Sequence, residues 1–420
     1  MKQLFFCSIA LIGFIGCQND YEDFGSIIES KSYSISELEA VASAKAFISS
    51  FYTRSGGTKE VGDVYAWLTS DYVPATRSSE VISNESDTLF YIVNFKNDDG
   101  FVLVHSQDHI GGILAYVEKG NLCPSDSIES DGFRYYLDCL QSVLPDPIEP
   151  LPRDTAIGGP DPAYPEPSVF DLPWVIDSII PPLLTTQWGQ LAPFNTYCFT
   201  ANGQQAVAGC VPVSIAQISA FYAYPSGYNA HLYDWEEIMA SSVPTSVAGR
   251  ESVAHLVHDI GIIAHTSYGV SSSSTSPSRK GSTLDSLGYH YSYAAYDYDL
   301  CMQEFEAGRP VLFGGYQYVP GMMFVGHSWV VDGGLVRSKY VALTDMGGVT
   351  YQQRVAMQKL IHCNWGADGR YDGYFLFDNL ELQNRVLDND LEIPTGMVSN
   401  NYNFNYDLDM YYEIYPDAQN

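Results

Sequence analysis

Apolar and polar positions alternate along this chain in two different rhythms. From Ser36 and Glu37 through Phe51 they fit a capped amphipathic helix. Three β-rich runs follow, at residues 88–95, 100–105 and 112–117, separated by Asn, Asp and Gly. Lys96-Asn97-Asp98-Asp99 between the first two is good hairpin chemistry. A helix around Phe133 to Val143 closes what reads as a small α+β domain over residues 36–144.

The pattern then breaks. Residues 145–182 hold eleven of the chain's 22 prolines. Proline fixes φ and lacks a backbone donor, so this segment is excluded from helices and central strands and reads as an extended, solvated linker. Beyond it come a helix-like segment from Cys210 to Tyr224 and a second near Val253 to Ile263. Strands are expected at residues 310–314, 327–332, 340–344, 356–363 and 373–376, with one more in the tail at 401–415. Helices followed by an antiparallel sheet make this domain α+β as well.

The N-terminus adds an address. Lys2 precedes an apolar run from Leu4 to Ile15, too short for a typical membrane span. Phe14-Ile15-Gly16-Cys17 followed by Gln18-Asn19-Asp20 resembles a bacterial lipobox, which implies lipidation of Cys17 as the first mature residue. Asp20, Glu22 and Asp23 resemble an acidic surface-export tag. The expectation is an exported protein anchored by lipid to the outer membrane or cell surface, or released after processing. The remaining composition is globular, with 46% hydrophobic and 17% charged residues. A net charge of −30 argues against nucleic-acid partners. Setting aside Cys7 and Cys17 leaves Cys123, Cys139, Cys198, Cys210, Cys301 and Cys363, with no CxxC and no metal-site spacing; no cofactor or metal is expected.

A nucleophilic cysteine needs its thiolate, which a helix N-terminus and a neighbouring histidine supply. Cys210 follows Ala208-Gly209 and opens an apolar helical run, with Pro212 tolerated in its first turn. His327, 117 residues later, enters a very apolar strand behind Gly326, which leaves the ring accessible. A cysteine early on a helix and a histidine late on a strand is the papain-like layout. Asn364 is placed to accept from the imidazole and Trp365 to shield that bond. Gln190, with Gln187 as a rival, and the Cys210 N–H are candidate oxyanion donors.

These segments, in this order, resemble the streptopain-type (family C10) cysteine proteases. The likeness rests on Trp188 to Asn195, Ala208 to Val211 with Ala216-Gln217, Gly326 to Gly333, and Asn364-Trp365-Gly366 with Asp372 to Phe375. Residues 91–96 and 100–104 also resemble that family's inhibitory prodomain. The resemblance implies Cys210 as nucleophile, His327 as base and Gln190 as oxyanion donor, with Asn364 and Trp365 beside the histidine. It also implies substrate contacts from Ser272, Ser274 and Gly326. The expected layout is a signal peptide (1–17), an inhibitory prodomain (18–144), the linker (145–182) and a papain-like domain (183–420). The chain departs from the family at Ala367, at Pro212 and in the region of Asn379 to Asn384, so substrate preference is not carried over. The expected activity is that of a monomeric endopeptidase zymogen acting on proteins or peptides, with its own prodomain as inhibitor. Rival readings are a Cys–His enzyme acting on cell-wall peptides and a catalytically silent binding lipoprotein.

Overall fold

A computed structural model describes residues 35–52, 58–68, 88–106, 112–144, 168–317, 325–344, 349–377, 381–382 and 408–417. The lipobox cysteine Cys17, most of the proline-rich stretch and residues 401–407 of the tail lie outside them.

The N-terminal domain begins with helix α1 (Glu37–Phe51), whose Ser36 and Glu39 form a reciprocal capping box. Strands β1 (Val61–Leu68), β2 (Thr88–Phe95), β3 (Phe101–His105) and β4 (Ile113–Val117) make an antiparallel meander. Helix α2 (Asp131–Val143), capped by Ser130, closes it. β1 had no counterpart in the sequence reading. Strand β5 (Ser168–Ile180) sharpens the linker reading, because its C-terminal third is paired rather than solvated. It pairs along one edge only, and Pro173 falls within a break in register between Trp174 and Asp171, where a missing donor costs nothing.

The C-terminal domain opens with α3 (Cys210–Tyr222). A minimal hairpin of β6 (Gly227–Tyr228) and β7 (His231–Leu232) leads to α4 (Trp235–Ile238) and α5 (Val247–Ile263). Then come α6 (Arg279–Leu287), β8 (Tyr289–Ala295), α7 (Tyr298–Glu306) and β9 (Val311–Gln317). Strands β10 (Val325–Thr344), β11 (Thr350–Asn364), β12 (Gly373–Leu376), β13 (Glu381–Leu382) and β14 (Asp409–Pro416) complete it. The two strands expected at 327–332 and 340–344 are one, β10, continuous through Gly333-Gly334 because β11 flanks nearly its whole length. The fold class is α+β, as expected.

One 12-stranded antiparallel sheet runs through both domains, with main order β1-β2-β3-β4-β12-β11-β10-β9-β14-β8. The seam is β4 on β12, with Val117 opposite Gly373 and Ala115 opposite Phe375. A Cβ at Gly373 would lie 2.1 Å from the Tyr116 carbonyl, so this close approach requires glycine. The core follows the seam. Phe133, Tyr136, Leu137 and Leu140 of α2 share one buried cluster with Trp329, Trp365 and Phe375 of the C-terminal domain. At roughly 2 kcal/mol per buried apolar side chain, α2 is a firmly seated element and not a loose cover.

A second tie lies on the other face. Arg337 of β10, 1% exposed, stacks between Trp174 of β5 at 4.1 Å and Phe47 of α1 at 5.2 Å. Its Nε donates to Gln358 Oε1 at 2.7 Å, and Gln358 Nε2 donates to the Ile113 carbonyl of β4. Losing a charge-assisted hydrogen bond and two ring contacts costs about 3 kcal/mol. Arg337→Ala is therefore expected to lower the urea midpoint of the intact protein, with Arg337→Lys intermediate because it keeps charge but not the planar fork.

Candidate active site

The nucleophile candidate owes its place to backbone geometry. Gly209 caps α3 at φ +93, a conformation that L side chains rarely adopt, and Cys210 is the first helical residue. Residues 211–220 of α3 are all buried, packed against α5 and β10. Ser214 on α3 meets Ser328 on β10 at 3.1 Å, tying the cysteine helix to the histidine strand.

His327 sits at the start of β10, 5% exposed, and interacts with the half-buried Cys210 thiol through charge and a hydrogen bond. Burial alone would raise the thiol. The His327 charge, the hydrogen bond to it and the Ser328 backbone outweigh burial and hold the thiol below its ordinary value, with Asp131 opposing. Burial likewise pulls the imidazolium down, but Cys210, the Trp365 carbonyl and Asp131 raise it on balance. Both directions favour a thiolate–imidazolium pair. Three other cysteines contrast with it: burial pushes Cys198 up to about 11 and Cys139 up to about 12, and raises Cys363 well above its usual range.

The orienting bond differs in detail from the expectation. His327 Nε2 lies 3.1 Å from the carbonyl oxygen of Trp365 and not on the Asn364 side chain. Asn364 Oδ1 is taken by Gln217 Nε2 and by the Gly366 N–H, while its Nδ2 donates to the Thr186 carbonyl. The indole of Trp365, 1% exposed, packs beside Trp329 and Phe375 and donates to the Tyr371 carbonyl.

Gln190 is half-buried, and its carbonyl accepts from Ala208 N at 2.9 Å, two residues before the nucleophile. Ser272 and Ser274 are exposed on a loop beside Gly209. The residue between them, Ser273, carries the local structure: its Oγ donates to the Val207 carbonyl and accepts from Gly269 N. A Cβ on Gly209 would reach Ser273 at 3.3 Å. Gly326 is exposed, with the Tyr316 ring against it. Among the described residues no group of His, Cys, Asp and Glu has metal-holding geometry.

The N-terminal domain reaches this site directly. A Cβ on Gly132, in the first turn of α2, would lie 2.4 Å from Trp365 Cε3 and 2.5 Å from His327 Cδ2. Phe133 stacks on Tyr371 with centroids 4.5 Å apart, and Glu129 pairs with Arg370. Only a residue without a side chain lets α2 lie flat on the imidazole. The sequence predicts a helix from about Phe133, but nothing local marks Gly132 for this contact.

Asp372 lies behind the same loop and accepts the Trp365 N–H at 3.0 Å. Burial raises its pKa to about 7, against His362 and the Trp365 N–H, with Asp332 and Glu118 adding to the rise. Between about pH 4 and 7 the folded protein thus holds a proton that the unfolded chain has released, so this group's contribution to stability falls as pH rises through that window. Asp372→Asn keeps an acceptor and cannot ionise. Its thermal midpoint relative to the parent is expected to be higher at pH 8 than at pH 5.

A helix-borne thiol paired with a strand-borne imidazole has the papain-like layout of a Cys–His acyl-transfer site. Residues 188–375 match the Peptidase C10 family, and residues 32–144 match the Spi protease inhibitor family. Over those residues the chain carries a C10-type cysteine peptidase domain, preceded by an inhibitor-type prodomain. It is 23% identical over 342 residues to the thiol protease/hemagglutinin PrtT of Porphyromonas gingivalis, covering 71% of this chain and 35% of that protein. It is 27% identical over 219 residues to streptopain of Streptococcus pyogenes, covering 42% of this chain and 47% of that one. The chain thus spans about a third to a half of these relatives. A fragment of Prevotella intermedia prointerpain A superposes with a TM-score of 0.48 at 20% identity, over 77% of this chain and 94% of the fragment.

Proposed function

We propose that this protein is a cysteine endopeptidase made as a zymogen. The Cys210 thiolate attacks a peptide carbonyl, and Gln190 with the Cys210 N–H receives the oxyanion. His327 protonates the leaving amine, and water then hydrolyses the thioester. Protein or peptide substrates follow from that chemistry. Ser272, Ser274 and Gly326, exposed around the thiol, are the proposed substrate contacts.

The observation that carries the zymogen reading is α2 lying on His327 through Gly132. The thiol and imidazole remain paired beneath it, so inhibition acts by covering the imidazole face that must meet the leaving group. Activation then requires cutting the proline-rich segment between α2 and β5 and lifting α2 away. The test is casein hydrolysis by uncut protein and by protein cut in that segment. Equal rates would overturn the reading.

Export and lipid anchoring at Cys17 complete the proposal, resting on the lipobox-like residues 14–17. No helix among the described residues is long and apolar enough to cross a membrane.

A further inference from the structure

Three buried polar side chains close a ring behind the site. Thr186 Oγ1 donates to Gln217 Oε1 at 2.9 Å, Gln217 Nε2 donates to Asn364 Oδ1 at 3.0 Å, and Asn364 Nδ2 donates to the Thr186 carbonyl at 2.7 Å. Their exposures are 3%, 0% and 3%. Each belongs to a different arm of the site. Thr186 stands four residues before Gln190, Gln217 lies two helical turns along α3 from Cys210, and Asn364 ends β11. In the interior of a helix as apolar as α3, a fully buried amide whose oxygen and nitrogen both have partners is costly to misplace.

The ring leads to the base through one peptide group. Asn364 Oδ1 also accepts the Gly366 N–H at 3.1 Å, and that N–H belongs to the peptide whose carbonyl, on Trp365, meets His327 Nε2. Hydrogen bonds in series through a peptide polarise one another, so holding the N–H strengthens the carbonyl as an acceptor. Gly366 stands at φ +67, and a Cβ there would meet Val213 of α3 at 3.2 Å, so the peptide is also fixed by shape.

We propose that Gln217 is a positioning residue for the base: it fixes Asn364, Asn364 fixes the Trp365–Gly366 peptide, and that carbonyl holds Nε2 of His327 so that Nδ1 is left for the Cys210 thiol. Asn364 acts on the imidazole at one remove. The proposal rests on reading Cys210 and His327 as nucleophile and base. Only an amide fits at 217. A carboxylate would set oxygen against Asn364 Oδ1 and turn the Asn364 amide over, presenting Nδ2 to the Gly366 N–H. An apolar side chain would leave Thr186 and Asn364 each a partner short.

The test is the pH dependence of iodoacetamide alkylation at Cys210, in full-length protein cut in the linker. A Cys123→Ser background removes the other half-buried thiol among the described residues. The parent should alkylate with a midpoint below that of ordinary cysteine. Gln217→Met and Gln217→Glu should each raise the midpoint by about one pH unit and lower kcat on a peptide substrate about tenfold, with KM within about twofold. Thr186→Val removes only the far bond and should raise it by about half as much. A folded Gln217→Met with the parent's midpoint overturns the proposal. Should Gln217→Met not fold, an unshifted Thr186→Val does so. A parent midpoint no lower than free cysteine would instead overturn the nucleophile assignment.

Discussion

Cys210→Ala is expected to abolish peptide hydrolysis, with a fall on the order of 10⁴-fold or more, and His327→Ala to fall nearly as far. The two losses should not add, because thiolate and imidazolium are one pair: each holds the other charged against a burial that disfavours both. None of the four buried cysteines among the described residues is placed to substitute. Cys198, Cys139 and Cys363 are buried with thiols raised, and Cys301 is buried against Met410. The variant should fold like the parent, since a half-buried Cys→Ala at a helix N-terminus leaves the core of α3 untouched. Initial rates on a peptide substrate, with circular dichroism as the folding control, check this. Residual hydrolysis within tenfold of the parent would contradict it.

Gly132→Leu should do the reverse in the uncut protein. The glycine leaves 2.4 Å and 2.5 Å from a would-be Cβ to the Trp365 and His327 rings, distances at which something must shift. Neither ring can yield, because Trp365 is wedged among Trp329 and Phe375 and His327 is held by the Trp365 carbonyl. The first turn of α2 must therefore lift. The rest of the helix remains anchored by Tyr136, Leu137 and Leu140, so the prodomain stays attached. Uncut Gly132→Leu is expected to hydrolyse a peptide substrate at least about tenfold faster than uncut parent, a shift of about 1.4 kcal/mol between covered and open forms. Initial rates, with gels confirming an intact linker, read this out. Unchanged latency in a folded variant would show that contact with His327 does not hold the enzyme silent.

Much of the scaffold was legible where the signal is local. α1 showed through its Ser36 cap, α3 through an apolar run behind Gly209, and β2 to β4 through runs split by Asn, Asp and Gly. Less legible were β1, β8, α6 and α7, the short β6, β7, α4 and β13, and β5, which reads as linker from its prolines. β8 keeps few apolar residues besides tyrosines, and α6 opens with Arg279-Lys280, whose lysine is buried only because Asp409 of β14 meets it at 2.6 Å. That partner lies 129 residues away, beyond any local pattern. The joining of the two domains through β4 and β12 was illegible for the same reason: pairing between residues 117 and 373 leaves no trace in either strand alone.

The candidate site followed the same division. Cys210, His327, Gln190 and Asn364-Trp365 stood out by residue type and setting. Their wiring did not, because Asn364 reaches the imidazole through a peptide group and Gln217 reads as one polar residue in an apolar helix. A buried glutamine amid Val, Ile and Ala was the available signal.

The most direct measurement is E-64 labelling of protein cut in the linker, followed by peptide mass spectrometry. The account predicts one adduct, on the peptide bearing Cys210, absent from Cys210→Ala and weakened in His327→Ala. An unmodified Cys210, or an adduct on any other cysteine, would contradict it.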